Sequence, residues 1–366
     1  MRARTNSPDY VFLSLIGVLV VFGLVALASA SSVVSFEKFG SSFYLLRHQI
    51  LFGILPGLIL FFAALKIPYD LWRRWAVPLL AVTLLMLIFV LLPGIGRQLG
   101  GSRSWFTIGS VSFQPSEVMK LALIVYLAAW FARAQGGAFD IKKDLGAPCV
   151  VIACAAILIL LQPDVGTLAI IGASVVFLLF LAGVPFRYIA GMLLVGAALL
   201  FIMVRIAPYR TARLTAFLHP ELDPRGVGYH INQALLAVGS GGFLGVGFGH
   251  SRQKFRYLPE VTGDSIFPIM AEEFGFFISV GFMILICAIL LRMFRIANNS
   301  PNTFTRLLVG GIAGWFGIQS FVNIGAMLGL MPLTGLPLPF VSYGGTAMAI
   351  ELAAVGIVGS ISRNVK

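Results

Sequence analysis

Charge is what this chain has least of. Asp, Glu, Lys and Arg make up 11% of its residues, with 14 acids against 26 bases and a formal charge of +12. Soluble domains carry about 25% charged residues, so a water-exposed surface of ordinary size is excluded. Cysteine is scarce too, and Cys149, Cys154 and Cys287 all fall inside apolar runs. That excludes a disulfide framework and a zinc site with ligand spacing. The bases are scattered between apolar runs without a block, which argues against nucleic acid and for anionic lipid as the partner of the positive charge. No register of the glycine-rich "GSGGFLGVGFG" fits G-x-G-x-x-G, and no G-K-[ST] follows it. Neither a dinucleotide site nor a P-loop is encoded there; glycine in that run serves close backbone approach or helix packing. The chain shows no repeat of fixed period and no separate soluble domain.

What is there is apolar: 59% of the residues are hydrophobic. Runs near twenty residues match a helix crossing roughly 30 Å of hydrocarbon. Ten such spans are expected, near 10–31, 45–65, 76–93, 114–133, 146–161, 166–183, 186–206, 267–291, 306–328 and 342–361. The predicted fold is an all-α polytopic membrane protein, one transmembrane domain over 1–366. The first run follows a basic start and ends in an A-x-A pattern, as a cleavable signal does, but its apolar part is longer than the usual 7 to 15 residues of a signal core. It is read as a retained first helix. The ends and even-numbered connections hold fourteen Lys and Arg, from Arg2 to Lys366, whereas the short connections of the other face hold four: Lys38, Arg47, Arg97 and Arg103. The positive-inside bias places both termini in the cytoplasm. The one long connection, about 207–266, then lies outside. Its length marks it as functional.

Polar residues inside apolar runs are the candidates for chemistry. In "FQPSEVMKLAL" Gln114, Glu117 and Lys120 recur every three residues at the start of the fourth span, so Glu117 and Lys120 are positioned to pair. Lysine at the bilayer centre costs about 2.5 to 3.5 kcal/mol and faces a protein interior or wet cavity. A functional pair is favoured over one that only fixes helix register. In "LLQPDVGT" Asp164 follows Pro163 before a span, and an N-cap is its simplest reading. The stretch "LPEVTGDSIFPIMAEEFGF" gathers Glu260, Asp264, Glu272 and Glu273 where a loop becomes an apolar run. Capping accounts for Asp264. It does not account for Glu272, eight residues further and on roughly the same helical face; one acid above another implies a polar cavity descending from the outer surface. The helix N-terminus favours a charged Asp264 while burial and Glu272 oppose it. The last outer connection, "GLMPLTGLPLPFVSYGG", holds Pro332, Pro337 and Pro339 before Ser342 and Tyr343. Fixed φ angles make it stiff, either as a cavity wall or as a rigid turn.

Outside the membrane there is no pool of ATP or sugar nucleotide, so an enzyme with its site there needs a substrate that already carries a leaving group. A polyprenyl pyrophosphate sugar fits. Exported bases such as Arg103, Arg210, Arg213 and Lys254, with Trp105 in the same outward surface as Arg103, would hold the pyrophosphate by charge-assisted hydrogen bonds. An acid at the cavity mouth would take a proton from a sugar hydroxyl.

These segments, with "QPDVGT", "YRTARLTAFLHPELDPRGVGYHINQALLAVGSGGFLGVGFGHSRQKFRYLPE", "GDSIF", "AEEFGF" and "GLPLPFVSYGG", resemble the SEDS proteins (shape, elongation, division and sporulation) along nearly the whole chain. "GFGHSRQKFRYLPE" is closer to the division and sporulation branch, FtsW and SpoVE, than to RodA. The resemblance implies a ten-helix peptidoglycan glycosyltransferase in the bacterial cytoplasmic membrane. It would polymerise lipid II on the outer face beside a class B penicillin-binding protein and other division proteins, with growing glycan on undecaprenyl pyrophosphate. It also implies that Asp264 is the essential acid, that Glu117, Lys120, Asp164 and Glu272 lie in the polar cavity, and that a divalent cation, Mg2+ or Mn2+, assists the departing pyrophosphate. The candidate substrate-binding set is thus Arg103, Trp105, Gln114, Glu117, Lys120, Asp164, Arg210, Arg213, Lys254, Glu272, Ser342 and Tyr343. The sequence departs from the commonest pattern, Thr-Asp-Phe-Ile-Phe-Ala, at Gly263, Ser265 and Pro268, and has Arg47, His48 and Gln49 where many relatives have an Arg-Gln pair. Two other classes compete. A lipid-linked precursor flippase would show paired inverted repeats, which are not seen, and a recruiting scaffold would need longer cytoplasmic tails than these.

Overall fold

A computed structural model describes residues 7–99, 101–134, 141–206 and 226–365, with a few single positions between 207 and 225. Its helices are α1 (Tyr10–Ala30), α2 (Ser32–Phe39), α3 (Tyr44–Lys66), α4 (Tyr69–Leu91), α5 (Pro115–Ala134), α6 (Ile141–Leu161), α7 (Val165–Leu181), α8 (Phe186–Ile206), α9 (Val227–Ser240), α10 (Ile266–Asn298), α11 (Thr303–Met327) and α12 (Gly345–Ser362). All except α2 and α9 coincide with the ten expected spans. Among the described residues, eight have the length and composition to cross a membrane, and α7 and the Phe186–Leu199 part of α8 are shorter apolar stretches. The protein is a multi-pass membrane protein.

Helices α5, α11 and α12 are buried nearly all round, whereas α1, α3, α4 and α6 expose most of their apolar surface, as expected of lipid-facing segments. Apolar residues gain little by leaving lipid for one another, so close approach decides which helices pair. Glycine supplies it between α3 and α12. A Cβ on Gly57 would lie 2.6 Å from Leu352 Cδ1, and one on Gly356 would lie 2.5 Å from the Phe61 carbonyl oxygen. Helix α3 carries a π turn at Ile50–Ile54, just after Gln49, which reaches across to the N-terminus of α12.

Two features were not anticipated. The connection after α4 forms a three-stranded antiparallel sheet in the order β1 (Gly96–Leu99), β2 (Ser102–Ile108), β3 (Val111–Phe113), a small addition to the expected helical membrane fold. Gly109, at φ 62°, makes the two-residue turn between β2 and β3. The described part of the expected long loop is also folded. Helix α9 buries Ile231, Ala234 and Ala237, and the glycine-rich run after it docks into a break in α10. At that break Gly275 adopts φ 76° and ψ −175°, a region essentially reserved for glycine. The freed backbone groups are taken up by the glycine run. Val246 N–H donates to the Glu272 carbonyl at 3.0 Å, Gly247 N–H to Glu273 at 3.1 Å, and Phe276 N–H to the Gly242 carbonyl at 2.9 Å. Close approach, one of the two roles expected for those glycines, is the one seen: a Cβ on Gly245 would sit 2.2 Å from the Glu273 carbonyl oxygen.

Candidate active site

Asp264 lies in the turn just before α10. The turn closes through Gly263 N–H and Ser265 N–H, both donating to the Glu260 carbonyl, at 2.9 and 3.3 Å. Its next three carbonyls are each held from outside. Tyr343 N–H donates to Thr262 at 2.8 Å, Ser342 Oγ to Gly263 at 2.6 Å, and Asn323 Nδ2 to Asp264 at 2.9 Å. Asn323, on α11, also donates to the Leu336 carbonyl at 2.7 Å, and Ser342 Oγ accepts from Leu338 N–H at 2.8 Å. The proline-stiffened connection is therefore packed on the Asp264 turn. Asp264 is 7% exposed and Ser265 is fully buried; Ser265 Oγ lies 3.4 Å from Asp264 Oδ1 and 2.7 Å from His230 Nε2 on α9.

A polar ladder descends from this connection into the bundle. Lys120 Nζ is 2.8 Å from Glu117 Oε2 and donates to Gln319 Oε1 at 3.0 Å. Gln319 also accepts from Trp315 Nε1 and donates to the Pro337 carbonyl at 2.9 Å. Lys120 lies 5.1 Å above the Trp315 ring, a cation–π distance. Both members of the ion pair are 3% exposed. On α12, Glu351 Oε2 accepts from Phe340 N–H at 2.9 Å, which fixes a residue held at φ 63°. The Glu117–Lys120 pair and the Asp264 turn are thus joined through α11 and the 336–343 segment.

Other candidates lie elsewhere. Asp164 caps α7, accepting from Thr167 N–H at 3.1 Å and Thr167 Oγ1 at 2.8 Å, and Gln114 Nε2 donates to it at 3.3 Å. Capping was its simplest reading. Arg103 is exposed on β2, with Trp105 half-buried on the same strand, and Ser102 Oγ ties that strand to the Gln162 carbonyl. Tyr343 OH lies 2.9 Å from His48 Nδ1, and His48 Nε2 lies 3.0 Å from the Ser110 carbonyl. A carbonyl only accepts, so Nε2 carries a proton, and in the neutral imidazole Nδ1 accepts from the phenol. Burial, and next Tyr44 nearby, push the Tyr343 phenol up to about 12. Arg210 and Arg213 lie outside the described residues.

Glu272 does not stand below Asp264 in an open cavity. Its carboxylate accepts from Arg252 N–H at 3.0 Å, Gln253 N–H at 3.4 Å and the Ser251 hydroxyl. Glu273 Oε1 accepts from Ser29 Oγ at 2.6 Å, Ser251 N–H at 3.2 Å and Lys254 Nζ at 3.1 Å. Lys254 spends its remaining donors on Ser29 Oγ and the Gly249 carbonyl. These buried charges fold the 249–254 loop onto the break in α10. Sequence reasoning noted Gln49 and Ser265 only as departures from the family pattern and passed over Gln319, Asn323, His230 and Glu351. The available signal was the pair Gln319 and Asn323, polar and four apart in an apolar span, hence on one helix face.

Among the described residues, no group of three or more His, Cys, Asp or Glu is placed to hold a metal ion. A family model described as "Cell cycle protein", covering FtsW, RodA and SpoVE, matches residues 10–366. Stage V sporulation protein E of Bacillus subtilis (strain 168) is 38% identical over 363 residues, covering 99% of each chain. A probable peptidoglycan glycosyltransferase FtsW of Trichlorobacter lovleyi is 39% identical over 363 residues, 99% of this chain and 95% of that one. Among solved structures, one from a peptidoglycan synthase complex that coordinates polymerization and crosslinking superposes with a TM-score of 0.81 at 31% identity, over 97% of this chain and 98% of the other. Rod shape determining protein RodA of Thermus thermophilus superposes with a TM-score of 0.72 at 31% identity, over 98% and 97%.

Proposed function

The chain belongs to the FtsW, RodA and SpoVE family of cell cycle proteins, and from that premise we propose that Asp264 is the general base of its glycan-polymerising reaction. The protein is a peptidoglycan glycosyltransferase. In the proposed step the 4-hydroxyl of a lipid II GlcNAc attacks the anomeric carbon of the terminal MurNAc on the growing chain. The new bond joins that oxygen to the anomeric carbon, and the bond from the anomeric carbon to pyrophosphate breaks with inversion. The hydroxyl proton passes to the Asp264 carboxylate. Undecaprenyl pyrophosphate leaves with the electron pair. General-base assistance of this kind contributes about 10² to 10⁴ in rate.

One observation carries the reading: the Asp264 turn is gripped through three successive backbone carbonyls by α11 and the 336–343 segment. Ser342 and Tyr343 act there as part of the grip. Lys120 and Glu117 support it from below through Gln319, whereas Lys254 and Glu272 hold the 249–254 loop on the break in α10. Substrate contact is proposed for Arg103 and Trp105 and, in the stretch outside the described residues, for Arg210 and Arg213. A divalent cation would stabilise the departing pyrophosphate. Mg2+ commonly uses one or two carboxylates together with substrate phosphates and retained waters; Asp264 and Glu260 are the carboxylates this turn offers. The charge asymmetry of the connections puts both termini in the cytoplasm and Asp264 on the outer side of the bacterial cytoplasmic membrane. A class B penicillin-binding protein and further division proteins are the proposed partners, in keeping with the synthase complex noted above.

The test is polymerisation of lipid II by the purified protein, with and without its penicillin-binding partner and divalent cation. Asp264→Asn is expected to lose activity by at least roughly 10²-fold while melting like the wild type. Polymer made by Asp264→Asn at the wild-type rate removes this residue from the chemistry. Lipid flipping in vesicles without polymer supports the transporter instead.

A further inference from the structure

Ser265 stands at the N-cap of α10, with φ −90° and ψ 15°, yet its side chain makes no capping bond to the helix. A serine there ordinarily accepts from the N–H of the second or third helical residue. This hydroxyl is turned the other way, 2.7 Å from His230 Nε2 and 3.4 Å from Asp264 Oδ1. Proton counting couples the two bonds. An ionised carboxylate only accepts, and a hydroxyl has a single proton to give. If Ser265 gives it to Asp264, the ring nitrogen of His230 must be the donor to Ser265 Oγ. His230 is partly buried on α9, the helix whose Ile231 and Ala234 are buried against the bundle. A phenylalanine at 265, as in the common family pattern given above, could make neither bond.

We propose that His230 is a positioning residue for the polymerisation reaction: through Ser265 it sets the rotamer of the Asp264 carboxylate and the direction from which the acceptor hydroxyl is met. The inference rests on the reading of Asp264 as the base. His230 touches no reacting atom. It acts by holding the Ser265 hydroxyl, which lies 3.4 Å from the carboxylate.

The experiment compares Ser265→Ala, His230→Phe, the double variant and His230→Gln in the full-length protein, measuring kcat and KM for lipid II polymerisation. Misorienting a catalytic group lowers turnover by roughly 10- to 100-fold. Ser265→Ala and His230→Phe should each lose kcat in that range, with KM within about twofold of the wild type, since orientation and not substrate affinity is disturbed. The double variant should be no slower than the slower single variant, as for two members of one chain of bonds. His230→Gln should recover most of the lost kcat, because its amide can donate to Ser265 Oγ. Ser265→Ala removes no capping bond, and losing its bonds to His230 and Asp264 should cost no more than about 1–3 kcal/mol, so the variant should stay folded with a modestly lowered melting temperature. Wild-type kcat in Ser265→Ala, or losses that multiply in the double variant, overturn the proposal. Asp264→Asn measured alongside separates the two claims. Polymer from Asp264→Asn sinks the base, whereas an inactive Asp264→Asn beside a fully active Ser265→Ala sinks only the role of His230.

Discussion

Replacing Lys120 by methionine tests whether the ladder beneath the active-site turn serves chemistry or only packing. Lys120 and Glu117 are 2.8 Å apart and 3% exposed, and Lys120 also donates to Gln319. Removing the ammonium leaves a buried carboxylate without its counter-charge, which costs about 3–5 kcal/mol. At roughly 2–4 °C per kcal/mol, the melting temperature in detergent should fall by some 6 to 20 °C. Adding Glu117→Gln removes the orphaned charge. What then remains is an imperfectly bonded amide, at about 1–3 kcal/mol, so the double variant should regain a substantial part of the loss. Activity separates the two roles. Gln319 holds the Pro337 carbonyl and leans on Lys120, so the double variant should stay impaired in polymerisation even where its stability recovers. Wild-type melting of Lys120→Met would refute the energetics. Full recovery of both melting and polymerisation in the double variant would reduce the pair to a device for helix register.

Two further outcomes follow from the geometry. Gly275→Ala would put a Cβ 2.2 Å from the Gly245 nitrogen at φ 76°; strain and overpacking of about 1–3 kcal/mol each should lower the melting temperature steeply. The same change at Gly17, in α1 with nothing within 4 Å, should leave melting unchanged or raise it, and equal melting of the two variants would discount the docked break. For Tyr343, whose phenol is pushed up to about 12, the folded state favours the protonated form. Its contribution to stability is complete below the ordinary value of 10.0 and lost as pH rises through about 12. The alkaline absorbance difference between wild type and Tyr343→Phe should therefore show a midpoint near 12, and a midpoint near 10 contradicts the buried placement.

The spans were legible because the bilayer enforces length and apolarity on every crossing helix, and the helices of the bundle other than α2 and α9 follow the expected apolar runs. The sheet was not legible. Its strands are short and lie among glycines and serines, and their pairing is decided by register between Arg97 and Trp105 or Phe106 and Phe113, which composition does not display. Charges were located, and so was the local pair of Glu117 with Lys120, but distant partners were not. Glu273 meets Ser29 across 244 positions, and Lys254 joins them, so a cluster that reads as an exposed binding loop is in fact a buried knot. Asp164 shows the reverse case: its partner Thr167 is local, and the sequence disclosed its cap. Asp264 itself was singled out by resemblance, since capping alone already explained an acid at that position.

The structure adds how Asp264 is held. The bonds from Tyr343, Ser342 and Asn323 all end on backbone carbonyls, those of Thr262, Gly263 and Asp264. None of these bonds depends on whether the carboxylate carries a proton. A base held in this way can accept a proton without rearranging its frame, and such preorganisation lowers the cost of forming charge in a transition state. The same fact makes Asp264→Asn a clean test. All three carbonyl bonds survive the substitution, so a loss of polymerisation in a variant that melts normally is attributable to the carboxylate and not to the turn that carries it.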